Sequence, residues 1–404
     1  MSRTKYVILG GGMVAGYAAK ELVERGLKPG ELTIVSRDSA PPYERPPLSK
    51  GFLAGKDSES SILISPADWY GEHGIRLQLE TTVERVDAQA KVLRTSAGDE
   101  LAWEHLLIAT GAEPRRLQPG DPPSGVFYLR SMSDSRAIGS APAKTAVVVG
   151  GGFIGMEVAS VLAQKNIRTT LVIREERVWS RVFTPEMSEF FENYYSARGV
   201  RIRKQSSLSQ IADQGSVRSA KLSDGEEIPC DLAVVGIGVT PVTDFLEGSG
   251  IRMDDGIVVN EFLESNQPDI CAAGDVANYP DAIFGKRRRV EHWDNAVSQG
   301  QHWARVITGD RQPFVHVPYF FSDVFDLSYE LWGDAAGATE NVIRGDAHTP
   351  SFSVWWLKAS RVVSAFVMNR PDEERQLAPE WIKTKAKIDR ARLGDSGRPL
   401  AEAA

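Results

Sequence analysis

The stretch VVVGGGFIGMEVA (147–159) decides the fold, because the chain has already used the same pattern once, in VILGGGMVAG (7–16). Each copy is a β-branched run, then glycines, then a helix-forming sequence. That order suits a bound pyrophosphate. The first glycine (Gly10, Gly150) permits a tight turn, and the second (Gly12, Gly152) lets backbone approach a phosphate. A small third residue (Ala15, Gly155) lets the helix pack closely on the strand. The start of the helix then offers unpaired N–H groups and a partial positive charge to the anion.

Working outward, each copy is followed by a second apolar strand ending in acid. Residues 31–35 lead to Ser36-Arg37-Asp38, and residues 169–173 lead to Arg174-Glu175-Glu176. A carboxylate about twenty positions beyond the turn is what a ribose hydroxyl needs, so Asp38 and Glu175 fill that role. A lone glycine turn is weak evidence. Two copies, each between strand and helix with an acid at the right distance, are strong evidence for two dinucleotide sites. Three more buried strands end in turns: LLIATG (106–111), AVVGIG (233–238) and ICAAGD (270–275).

Composition bounds what surrounds these sites. At 404 residues the chain exceeds one ordinary core, and two or three domains are expected. Apolar residues at 42% and charged residues at 25% fit a globular protein, and no apolar run reaches the ~18 residues of a membrane span. MSRTKYVILGGG reads as a first strand and not as a secretion signal. Two cysteines, Cys230 and Cys271, offer no redox pair, so a reduced, cytoplasmic setting is expected. A net charge of −7 argues against nucleic-acid binding. The runs 286–289 (KRRR) and 381–392 (WIKTKAKIDRAR) are local exceptions. They read either as solvated surface or as docking patches for an acidic partner.

In this linear order the chain resembles the two-dinucleotide-binding-domain flavoproteins of the glutathione-reductase-like fold. The resemblance implies an α/β protein: two Rossmann-like domains, for FAD and NAD(P)H, plus a small C-terminal α+β domain. FAD would use residues 1–115 and 245–312, NAD(P)H residues 116–244, and the third domain 313–404. Two cradles are then needed because hydride passes from one dinucleotide to the other. The ATG-type segment Ala109-Thr110-Gly111, with Gly274 and Asp275, would frame FAD, Asp275 at the ribityl chain. Val83 would meet the adenine through its backbone. Gly236, Ile237 and Gly238 repeat that frame in the NAD(P)H domain, after a turn that includes Phe153 and Ile154.

Disulfide reductases of this fold carry a cysteine pair where this chain has PYERPPLSK (42–50), which excludes a dithiol relay. That segment resembles monodehydroascorbate reductases, apoptosis-inducing factor and oxygenase-type ferredoxin reductases. By that resemblance Arg45 contacts the FAD pyrophosphate, Lys50 lies near the flavin N5, and Glu157 pairs with Lys50. A cation there favours reduced flavin. Glu291, His292 and Trp293 match the segment beside the flavin, and the helix that follows, capped by Asp294, would aim its positive end at the N1–O2 edge. His292 reads equally as a core histidine. Phe321 falls where relatives place an aromatic ring near the flavin, in a stretch resembling the dimer-associated domain, so a homodimer is implied.

Two departures separate the chain from plant-type monodehydroascorbate reductase. Its substrate arginine falls on Val297 and its substrate tyrosine on Phe321, which removes a cation and a hydroxyl. The leading expectation is therefore hydride transfer from NADH to FAD, then electrons to a one-electron acceptor such as a ferredoxin or rubredoxin. Monodehydroascorbate reductase and a redox-controlled binding protein like apoptosis-inducing factor are the alternatives. Glu175 would repel the 2′-phosphate of NADPH, whereas Arg174 and Arg177 would attract it.

Overall fold

The computed structural model describes residues 3–117, 122–213 and 217–404. The chain divides into two compact units. The first comprises residues 1–45, 58–113 and 240–318, the second residues 46–57, 114–239 and 319–404.

The first unit is built on a seven-stranded sheet. Five strands run parallel, in the order Arg76–Gln78, Leu32–Val35, Arg3–Leu9, Glu100–Ile108, Ile270–Ala272. The strand Arg3–Leu9 lies at the centre with Val7 and Ile8 fully buried, as expected where helices and loops cover both faces. Val83–Asp87 and Val92–Thr95 form an antiparallel pair that joins the early part of Glu100–Ile108. The helix Met13–Glu24 leaves the central strand through the first glycine turn and packs against the helix Trp293–Ile307. Glycine makes that packing possible, since a Cβ on Gly300 would stand 2.6 Å from the Val14 carbonyl oxygen. Arg305 also donates to buried Glu21 at 2.9 Å.

The second unit holds a five-stranded parallel sheet in the order Arg201–Arg203, Arg168–Val172, Thr145–Val149, Leu232–Val235, Val126–Phe127. Its glycine turn leads into the helix Phe153–Gln164. A five-stranded antiparallel sheet follows, in the order Tyr319–Val324, Leu327–Gly333, Arg361–Met368, Phe352–Lys358, Glu340–Gly345, with the helix Asp372–Thr384 after it. One aromatic core is continuous through this unit. Trp179, Phe183 and Phe191 interlock with Tyr329, Phe352 and Phe366, and Phe183 meets Phe366 edge-on at 5.3 Å. In the three-domain reading of the sequence the last segment stands alone from residue 313. In the structure residues 319–404 share this core with 114–239. The short segment 46–57 belongs here too, held by the Ser135 hydroxyl, which donates to the Leu48 carbonyl at 2.7 Å.

Candidate active site

The two cradles are built alike. Gly10 and Gly150 adopt φ of +121° and +115°. A Cβ on Gly10 would penetrate the Ala109 carbonyl, and one on Gly150 the Gly236 carbonyl. The turns therefore need glycine for both conformation and space. Gly12 and Gly152 are the N-caps of their helices, with no side-chain cap bond and no acid in the first turn. The leading N–H groups thus lack a side-chain acceptor, which is the condition that draws an anion. In both cradles the space above the second glycine fits a phosphate. Among the described residues, a Cβ on Gly152 would meet nothing within 4 Å, and one on Gly12 would meet only an Arg45 nitrogen, at 3.9 Å.

Around the first cradle the structure gathers several expected residues. Arg45 lies over the Tyr43 ring at 5.2 Å. Asp38 follows the strand Leu32–Val35, and its carboxylate accepts from the Tyr43 hydroxyl at 2.8 Å. Ala15 is fully buried. The Ala109 amide donates to the Leu9 carbonyl at 2.8 Å. Thr110 donates its hydroxyl to the Val242 carbonyl at 2.8 Å, and Gly111 turns the chain at φ +69°. Gly274, at φ +78°, donates its amide to the buried Gln299 side chain at 2.7 Å. A Cβ there would meet Val14 at 2.7 Å, so the Gly274-Asp275 turn is pressed onto the cradle helix. Val83 opens the strand Val83–Asp87 and is buried.

Around the second cradle the third glycine is essential, since a Cβ on Gly155 would penetrate the Gly150 carbonyl. Phe153 packs into the aromatic core against Phe320, whereas Ile154 is 45% exposed beside the turn. Gly236 and Ile237 are half-buried, and Gly238 accepts from the Arg115 amide at 2.8 Å. Arg174 is exposed and Glu175 half-buried. Arg177 is not available to a 2′-phosphate. Its guanidinium donates to the carbonyls of Phe183 (2.6 Å) and Ser180 (3.1 Å) and to the Ser188 hydroxyl (2.9 Å).

Within the second unit, Lys50, Glu157 and Phe321 converge. Glu157 is 2% exposed, and Lys50 donates to its Oε1 at 2.7 Å. The Lys50 ammonium also lies 5.3 Å from the centre of the Phe321 ring. Two residues that the sequence did not single out complete the cluster: Ser322 donates to Oε1 at 2.6 Å, and Ser49 donates to Oε2. A second unforeseen group is Glu44 of the first unit, which accepts from Tyr17 Oη and from Trp293 Nε1, each at 2.6 Å. Ser49 and Glu44 lie inside PYERPPLSK, but nothing local marks their partners.

Two further expectations need correction. The helix Trp293–Ile307 is capped at His292, not Asp294, and the cap makes no side-chain hydrogen bond to the helix start. Asp294 instead pairs with His316. His292 and Trp293 are half-buried at that helix start, and Glu291 is exposed and bonded to Arg289. The run 286–289 is not a free cationic patch. Arg287 bonds the Val259 and Asn278 carbonyls, Arg288 pairs with Asp281 at 3.1 Å, and Arg289 pairs with Asp255 at 3.1 Å.

Thiol chemistry has no footing here. Burial pushes the Cys271 thiol up to about 12 and the Cys230 thiol up to about 11, so neither supplies a thiolate near neutral pH.

Paired dinucleotide cradles without a thiol relay define an FAD-dependent NAD(P)H oxidoreductase. The chain belongs to the family described as pyridine nucleotide-disulphide oxidoreductase, which matches residues 4–300, and the description Reductase C-terminal matches residues 319–404. It is 37% identical to monodehydroascorbate reductase 4, peroxisomal, of Arabidopsis thaliana, over 95% of this chain and 83% of that one. It is 34% identical to the monodehydroascorbate reductase of Pisum sativum over 98% of both. Among solved structures, the covalent putidaredoxin reductase–putidaredoxin complex matches with a TM-score of 0.94 at 31% identity, covering 99% of this chain and 97% of that one. The ferredoxin reductase for the CYP199A2 system of Rhodopseudomonas palustris matches with a TM-score of 0.93 at 30% identity, over 99% and 100%.

Proposed function

We propose that this oxidoreductase takes hydride from NADH and reduces a small ferredoxin-type iron–sulfur protein. The observation that carries the reading is Phe321. The group beneath the Lys50 ammonium is a hydrocarbon ring, where the monodehydroascorbate reductase pattern has a tyrosine. Val297, at that pattern's arginine, packs partly buried on the core of the first unit. An anionic organic radical would find neither hydroxyl nor cation at these positions.

FAD, when bound, supplies the chemistry: it accepts a hydride and returns electrons singly. In this reading the first cradle and Arg45 hold its pyrophosphate, Asp38 its ribose and Asp275 its ribityl chain, with Val83 and 109–111 alongside. The second cradle, with Phe153, Ile154, Glu175 and 236–238, holds the nicotinamide dinucleotide. Lys50 places a positive charge for the flavin, Glu157 holds that charge, and the helix start at His292 adds its dipole. With Arg177 engaged elsewhere, Glu175 faces the 2′ position opposed by Arg174 alone, which favours NADH. Lys383, Lys385 and Lys387 are exposed and suit an acidic partner. The two buried thiols accord with a cytoplasmic setting, and a homodimer remains part of the proposal.

The identity to monodehydroascorbate reductases supports the second reading, in which an organic radical is the acceptor. Steady-state rates with monodehydroascorbate radical and with a ferredoxin separate the two. A kcat/KM that is high for the radical alone overturns the first.

A further inference from the structure

We propose that Ser49 and Ser322 are positioning residues for Lys50, acting through Glu157. The proposal rests on the reading that Lys50 serves the bound flavin. A carboxylate has two oxygens, about four lone-pair sites, and a soft final torsion. The Lys50 ammonium bonds only Oε1, so by itself it leaves the carboxylate free to turn. Ser49, in the turn Pro46–Ser49, holds Oε2. Ser322, in the strand Tyr319–Val324, holds Oε1 at 2.6 Å.

The hydroxyls come from segments 108 and 165 residues away from Glu157, and Ser49, Ser322 and Glu157 are 2%, 0% and 2% exposed. At that depth a charge-assisted bond is strong and its loss is not repaired by solvent. The strand that supplies Ser322 also supplies Phe321, whose ring stacks beneath the ammonium. The cation is therefore set between an oriented carboxylate and a π face, both indexed to one strand. The arrangement is asymmetric. Among the described residues Ser49 is the one donor to Oε2, whereas Oε1 has two, so loss of Ser49 releases the carboxylate more than loss of Ser322.

The test compares holoenzymes carrying Ser49→Ala, Ser322→Ala, both changes, Ser49→Thr and Lys50→Met. Two quantities are read: the rate of Lys50 acetylation by acetic anhydride, resolved by peptide mass spectrometry, and the flavin midpoint potential. Lys50 should be acetylated about tenfold faster in the double variant and faster in Ser49→Ala than in Ser322→Ala, with Ser49→Thr near wild type. The flavin reduction equilibrium should fall in the same order, by about tenfold in the double variant, or ~30 mV for a two-electron couple. Wild-type acetylation rates in both alanine variants overturn the proposal. If the double variant does not fold, the single variants decide by the same rates. A potential unchanged by Lys50→Met instead overturns the reading that Lys50 serves the flavin, and the acetylation rates still judge the serines.

Discussion

The two glycine cradles share a turn but differ in what surrounds it. At the first, Gly12 is half-buried, Met13 and Val14 are buried, and Arg45 reaches to 3.9 Å of the open space. At the second, Gly152 is exposed, Ile154 is 45% exposed, and among the described residues a Cβ added to Gly152 would meet no neighbour within 4 Å. The backbone supplies the same amides and the same dipole to both. The enclosure and the guanidinium are added only at the first. Under the proposed assignment, that is the difference expected between a site for a resident cofactor and a site for a dinucleotide that must arrive and leave on every turnover.

The largest effects should come from the first glycines. Gly10→Ala and Gly150→Ala each force a side chain into a left-handed conformation against a carbonyl, and should cost ~3–5 kcal/mol. Denaturant unfolding with flavin absorbance separates the sites: Gly10→Ala should lose its colour, whereas Gly150→Ala should stay yellow and not be bleached by NADH. Equal loss of colour in both would break the assignment of the two cradles. Next is the third position, where the first turn accommodates the methyl of Ala15 and the second has no room. Gly155→Ala should therefore cost ~1–3 kcal/mol, and Ala15→Gly less, by the same unfolding measurement.

These glycine roles were legible in the sequence because a steric demand is local: the spacing of small residues and β-branched runs states it directly. The fold followed, since each turn fixes a strand on one side and a helix on the other. Ion pairs were less legible. Arg177 read as a free cation beside Glu175, yet it is consumed by Ser180, Phe183 and Ser188, because a charge in a sequence does not say where a flexible side chain finds its acceptors. Arg287, Arg288 and Arg289 repeat the lesson. Lys50 and Glu157 were identified through family resemblance, but Ser49 and Ser322 were not. Their bonds cross more than a hundred residues and leave no periodic trace.

The second glycines sharpen the comparison at smaller cost. Gly12→Ala and Gly152→Ala add a methyl where the protein has room, so unfolding free energies should change by ~0.5 kcal/mol or less. Affinity should fall about tenfold, for FAD in the first and for NADH in the second, because the methyl occupies the phosphate's approach. Isothermal titration of apoprotein with FAD and of holoenzyme with NADH checks both. Coenzyme choice is smaller still. Glu175→Gln should raise the NADPH/NADH ratio of kcat/KM several-fold, whereas Arg177→Ala should leave that ratio unchanged and lower stability by ~1–3 kcal/mol.

The smallest effect at neutral pH concerns the thiols, one in each unit: Cys271 in the strand Ile270–Ala272 and Cys230 just after Glu227–Pro229. Burial raises both from the ordinary thiol value of 9.0, Cys271 to about 12 and Cys230 to about 11. A thiol raised in the folded state binds its proton where the unfolded chain has lost it, so its contribution is fully present below pH ~9 and falls as pH rises further. The fall should end near pH 11 for Cys230 and continue to about 12 for Cys271. Cys271→Ala and Cys230→Ala should each leave NADH-dependent turnover at pH 7 unchanged and flatten the alkaline limb of stability against pH, Cys271→Ala over the wider window. Loss of turnover at pH 7 without loss of stability in either variant would mean that a thiol takes part in electron transfer.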